Sequence, residues 1–132
     1  MRTERSVTHW EGSGIKIRAL AWLEEGDSLA AGGEDGKVRI YDLSGEEARL
    51  SAENNIQTRR LRSLSINPEG DKLAAAGDFN KINLLDSQTA DIVGELAGHG
   101  YHVSEVDWSP NMEYLASSAG GHLLIWPLFI EN

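Results

Sequence analysis

Four histidines, a set of carboxylates and one run of arginines are the side chains that could carry reactive or ligating chemistry. His9, His99, His102 and His122 are scattered, and only His99 and His102 are near neighbours in sequence. A protein metal site needs three or four converging ligands, so two histidines alone do not make one, and neither a metal nor another cofactor is expected. The carboxylates sit in no recognisable catalytic frame. Asp27, Asp71 and Glu113 instead recur at matching turn positions. No nucleophile turn, phosphate loop or metalloprotease helix motif is present. The paired glycines Gly32-Gly33 and Gly120-Gly121 have the character of hairpin glycines. With catalytic chemistry this thin, an enzyme is not expected. What remains is the basic cluster Arg59, Arg60 and Arg62. It is either a solvated strand edge, where charge discourages aggregation, or a spot that holds carboxylates or other anions.

The background makes that cluster conspicuous. The chain has 132 residues, 12 Lys+Arg, 21 Asp+Glu, a net charge of −9 and no cysteine. The acid is concentrated late, and no Lys or Arg follows Lys81. An acidic chain is a poor sequence-independent nucleic-acid binder, because that affinity comes from neutralising phosphates. It is an equally poor polybasic membrane-surface module. No stretch approaches the roughly 18 apolar residues of a membrane span. The opening residues lack the apolar core of a secretory signal. A cysteine-free chain suits a reducing compartment, and a cytoplasmic location is expected.

Internal repetition sets the architecture. The segments Ile17 to Asp42, Leu61 to Asp86 and Val103 to Pro127 align, the first two without a gap and the third with one deletion in the Gly120-Gly121 turn. Each contains period-two alternation broken by turn signals. In the first, Ile17, Ala19 and Ala21 alternate with Arg18, Leu20 and Trp22. Then come the small residues Leu29-Ala30-Ala31, an Asp35-Gly36 hairpin turn, and Val38 and Ile40 on one face of a third strand. A fourth, more variable strand is expected around Ala48 to Leu50, with its counterpart over Asp91 to Leu96. No segment has a helical apolar period. The expected fold is all-β, with blades of four antiparallel strands at roughly 44 residues per repeat.

The three repeats resemble those of WD-repeat β-propellers. The third has Gly98-His99, Val103, Val106, Trp108-Ser109-Pro110, Leu115-Ala116-Ser117 and Ile125-Trp126. These are similar to the family's Gly-His start, strand-turn motif and penultimate Trp. The first has Leu29 through Asp42, close to the most typical stretch, and the second has Asn67-Pro68 and ends in Leu85-Asp86. The resemblance implies structural roles for Asp35, His99 and Trp126. In the family a turn Asp, the Gly-His histidine, a strand Ser or Thr and the Trp form one buried polar network, and no repeat here has all four. Ser13 stands at the His position of the first repeat, and Tyr41 at its Trp position. Gln57, Phe79 and Leu85 replace three of the four in the second. The third lacks the turn Asp. A partly satisfied network stabilises less, so apolar packing is expected to carry these blades.

One domain is expected over 1–132: an outer strand at about 5–10, then repeats at about 15–50, 59–96 and 98–130. Propellers typically have 4–8 blades, so three cannot close a ring, and an open arc leaves apolar faces in water. Two copies would supply six. The strand at about 5–10 precedes the first repeat in outer-strand phase, and the third repeat runs out without an outer strand of its own. Exchange of that strand between chains would close the ring and hide two edges.

In WD-repeat proteins, which are mostly non-catalytic interaction platforms, partners meet residues at the starts of inner strands and in hairpin turns. By repeat position the resemblance maps that surface here to Lys16, Arg18, Arg60, Arg62, Phe79, Tyr101, His102 and Glu105. Arginine and aromatic residues dominate interface energetics, and basic groups on an acidic body suit an acidic protein segment. Phe79, apolar in a turn, is either tucked inward or offered to a partner. The leading expectation is a protein-interaction scaffold completed by self-association, a dimer being favoured. The alternatives are a subunit or fragment that completes a longer or different propeller, and a small-molecule binder or enzyme using the channel mouth.

Overall fold

Short alternating runs between turn residues produce eleven strands and no α-helix among the described residues. The computed structural model describes residues 15–23, 26–45, 47–56, 59–100 and 102–128. Blade one comprises β1 (Ile17–Trp22), β2 (Ser28–Gly33), β3 (Lys37–Asp42) and β4 (Arg49–Asn55). Blade two comprises β5 (Leu61–Ile66), β6 (Lys72–Gly77), β7 (Lys81–Asp86) and β8 (Ile92–Ala97). Blade three comprises β9 (Glu105–Trp108), β10 (Tyr114–Ala119) and β11 (His122–Pro127). Each sheet is an antiparallel meander in chain order. The variable strand of blade one runs on past the expected Leu50 to Asn55, paired with β3 on both sides of an irregularity at Ser51. The expected outer strand at about 5–10 lies outside the described residues.

Turn chemistry fixes the strand lengths. Asn67 closes the β5–β6 turn, its Oδ1 accepting the N–H groups of Asp71 and Lys72, each at 3.0 Å. Ser109, at the same repeat position, does this for β9–β10 by accepting from Glu113 and Tyr114. The Asp35-Gly36 turn is as expected, with Gly36 at φ 79°, a conformation open to glycine at no steric cost.

The blades stack in sequence order. β1 and β2 pack on β5, and β5 and β6 pack on β9. One core lies between blades one and two, where Ala19, Ala30, Val38 and Ile40 meet Leu64, Leu73, Ala75 and Leu85. The other lies between blades two and three, where Ala74, Ala76 and Ile82 meet Val106, Trp108 and Leu115. The central strand of blade two is thus covered on both faces, which is why it is Leu73-Ala74-Ala75-Ala76-Gly77, buried throughout. Larger side chains would hold the neighbouring sheets apart.

The arrangement is an unclosed arc. The two terminal faces carry apolar side chains into solvent: Leu20 and Trp22 on blade one, Leu123 and Ile125 on blade three. Trp22 and Trp108 share a repeat position, yet Trp22 is 58% exposed and Trp108 only 7%. The difference is the neighbour: Trp108 has blade two against it, and Trp22 has no described blade on that side.

Candidate protein-interaction surface

In blades one and two, backbone hydrogen bonds bring the hairpin turn against the start of the inner strand. Glu34 N–H donates to the Lys16 carbonyl at 3.0 Å, and Asp78 N–H donates to the Arg60 carbonyl at 2.8 Å. The same device in two blades sets a turn carboxylate beside inner-strand cations. In blade one, Arg18 pairs with Glu34. In blade two, Arg60 Nε donates to Asp78 Oδ2 at 2.7 Å, and Arg62 Nε donates to Asp78 Oδ1. His102, arriving from blade three, places Nδ1 3.7 Å from the same Oδ1.

Asp78 is the organising residue, and reading the sequence for unusual residues passed it over. Its signal was present: Glu34 and Asp78 are both carboxylates at one repeat position, as Arg18 and Arg62 are both arginines at another. Burial works to raise the Asp78 carboxyl, but hydrogen bonds and charge from Arg62 and Arg60 outweigh it and hold it below the ordinary 3.8. The hydrogen bond from Arg18 lowers Glu34, against a desolvation cost, with Lys16 and Arg60 adding attraction. Five cations (Lys16, Arg18, Arg59, Arg60, Arg62) therefore face two carboxylates at this end of the inner strands. Among the described residues Lys16 and Arg59 form no ion pair, so the excess is positive on an otherwise acidic chain. Beside Arg59 and His102 lies an open recess of about 340 Å³, also lined by Asp78, Phe79, Asn80 and Gly100.

The remaining expected residues fall in different places. Phe79 is tucked inward, only 7% exposed and part of the core between blades one and two. Of the two alternatives for this ring the described chain has the inward one, because this hairpin turns its apolar residue onto Leu61 and its neighbours. Glu105 sits on the uncovered face of blade three with Asp107, Ala116, Ser118 and Leu123, away from the arginines. Tyr101 lies outside the described residues. Asp35 accepts from Lys37 N–H and from Arg39 Nη2 at 2.9 Å, which makes it a turn and ion-pair residue.

His99, Ser117 and Trp126 form one buried network. Ser117 Oγ lies 2.6 Å from His99 Nε2 and accepts the Trp126 indole N–H at 2.8 Å. The two rings stand edge to face with centroids 6.2 Å apart. Burial, and secondarily the charge of His122, lowers the His99 pKa from 6.5. A group with a depressed folded pKa contributes stability above its unfolded pKa and loses it as pH falls through the folded one. Urea midpoints are accordingly expected to drop as pH is lowered below 6.5, and His99→Gln is expected to lack that component. Equal slopes in both proteins would remove His99 as the cause.

No metal-ligand cluster of three or more His, Asp or Glu occurs among the described residues. None of their elements is a helix long and apolar enough to cross a membrane.

Comparison with protein families places two matches to the WD domain, G-beta repeat, over residues 4–42 and 90–127. Together they cover more than half of the chain and include β1–β3 and β9–β11. The second match also takes in β8, and the unmatched residues 43–89 contain β4 and β5–β7, with Gln57, Phe79 and Leu85, which depart from the family's polar network. Three meander blades stacked through small-residue strands, with His99, Ser117 and Trp126 bonded inside the third, agree with those matches, and the chain belongs to the WD-repeat family.

Proposed function

We propose that the chain is a non-catalytic, cytoplasmic protein-interaction scaffold, a half propeller that a second copy completes to six blades, and that it receives acidic protein segments at the mouth of the ring. The observation that carries this is positional. Leu20 and Trp22 on blade one match Leu64 and Ile66 on blade two, which are covered by blade one, whereas Leu20 and Trp22 stand in solvent. Burying such apolar area is worth about 25 cal/mol per Å², so open blade faces drive association. The five-cation cluster supports an acidic partner through steering and complementarity. Exposed His102 and Arg59, beside the recess, are the side chains best placed to meet it.

Absolute mass by light scattering across a dilution series tests the completed ring. A species of two chains that dissociates only on strong dilution is the expected result. A monomer at all concentrations would assign the missing blades to another chain or to further sequence.

A further inference from the structure

The junction between blades two and three contains two polar contacts that the junction between blades one and two lacks. Val106 N–H donates to Ser63 Oγ at 3.2 Å, and the Trp108 indole N–H donates to the Ser65 carbonyl at 2.8 Å. At the matching positions the earlier junction has Ala19 without a side-chain acceptor and Ile66 without a donor, so its inner strands meet by apolar packing, and its side-chain hydrogen bond lies elsewhere, from Asn54 Nδ2 on β4 to the Ala90 carbonyl at 2.7 Å. The residues at these repeat positions thus decide which kind of junction forms.

The two uncovered faces have the residues of the polar kind. Trp22 occupies the Trp108 position on blade one, and Glu105 occupies the Ser63 position on blade three. Resting on the two-copy reading above, we infer that the copies join head to tail, with Trp22 of one seated on the blade-three face of the other. There its indole N–H donates to the Asp107 carbonyl, and the Glu105 carboxylate accepts the Leu20 amide. That face has a recess of about 230 Å³, lined by Glu105, Asp107, the small residues Ala116 and Ser118, and Leu123. Charge favours this pairing over its alternatives. Lys16 and Arg18 open β1, while Glu105 and Asp107 lie on the receiving face and no Lys or Arg follows Lys81. Two blade-three faces set together would oppose carboxylates. Two blade-one faces set together would leave Glu105 and Asp107 without a donor. Head-to-tail contacts normally propagate, but two three-blade arcs close after one pairing into a twofold ring with two identical junctions.

The chain has no cysteine, so introduced pairs report cleanly. Leu20→Cys/Glu105→Cys under mild oxidation is expected to give a covalent two-chain species on a non-reducing gel. Ser63→Cys/Val106→Cys, the same positions across the junction inside one chain, calibrates the geometry and is expected to close without a mass increase. Leu20→Cys alone is expected to remain uncross-linked, and a covalent dimer from it would establish docking of like faces and overturn the inference. If the unmodified chain has a two-chain mass while the 20/105 pair stays open and the 63/106 pair closes, the head-to-tail register is wrong and the two-copy reading survives. A monomeric mass removes both. Independently of cross-linking, Trp22→Phe keeps an apolar ring at this position but deletes the indole donor. It is expected to weaken dimerisation about tenfold per junction, on the order of 100-fold for the pair. An unchanged dilution midpoint would overturn the indole contact.

Discussion

Gly77→Ala is expected to lose about 3 kcal/mol or more of folding stability, read as a fall in the urea midpoint at constant slope. A Cβ at Gly77 would lie 2.0 Å from the Arg60 carbonyl oxygen, 2.8 Å from Leu61 Cα and 2.9 Å from Phe79 Cε1. Two of these atoms are backbone and cannot rotate away. The cause is a register irregularity between Leu61 and Ser63, which presses the start of β5 against the end of β6. Blade one repeats it between Ile17 and Ala19, where a Cβ at Gly33 would meet the Lys16 carbonyl at 2.7 Å. Gly33→Ala is expected to cost less, since blade one is covered on one face only. Blade three has Ala119 at this position, and its β9–β10 pairing shows no such irregularity. The Gly77 carbonyl also accepts the Val103 N–H at 2.9 Å, so displacement there would pass to the entry of blade three. A wild-type midpoint in Gly77→Ala would refute the close approach.

Phe79→Ala is expected to lose about 3–5 kcal/mol, the range for emptying a buried aromatic site. The ring belongs to the cluster of Leu61, Leu64, Leu73 and Leu85 that joins blades one and two. For a chain of this size that is a large share of total stability. His102→Ala, altering an exposed side chain near the same recess, is expected to leave folding stability within about 0.5 kcal/mol of the wild type. The pair separates core from surface at one site. Acidic-peptide binding should fall in His102→Ala with folding intact, whereas any loss in Phe79→Ala would follow from unfolding. Full stability in Phe79→Ala would return that ring to the partner surface.

Charge in the arginine cluster adds a further consequence. Asp78 is buried and paired with two half-exposed arginines, so removing it would leave both without their acceptor. Such a turn carboxylate serves two ends at once: it ties the hairpin turn to the start of the inner strand and holds the Arg60 and Arg62 guanidinium groups beside it. Among the described residues Lys16 and Arg59 form no ion pair, and they are the cations offered to an incoming carboxylate.

The sequence by itself determined the repeat number, the strand order and the turn chemistry. Those are local: alternation assigns strands, Asp35-Gly36 and Asn67-Pro68 close turns, and the near-equal spacing of Ile17, Leu61 and Val103 aligns blades. The family resemblance implied structural roles for His99 and Trp126, and in the folded third blade both are bonded to Ser117 Oγ. Tertiary structure alone decided the direction of Phe79, because a turn residue faces core or solvent according to what packs beneath the hairpin. It alone separated Trp22 from Trp108, identical in repeat position and opposite in burial, because burial depends on whether a neighbouring blade is present. It alone made Asp78 the partner of Arg60, Arg62 and His102, which lie up to a blade away in sequence. Period and composition record what a segment does with its neighbours along the chain. Contacts between blades are set by the stacking of whole sheets, and no single repeat encodes them.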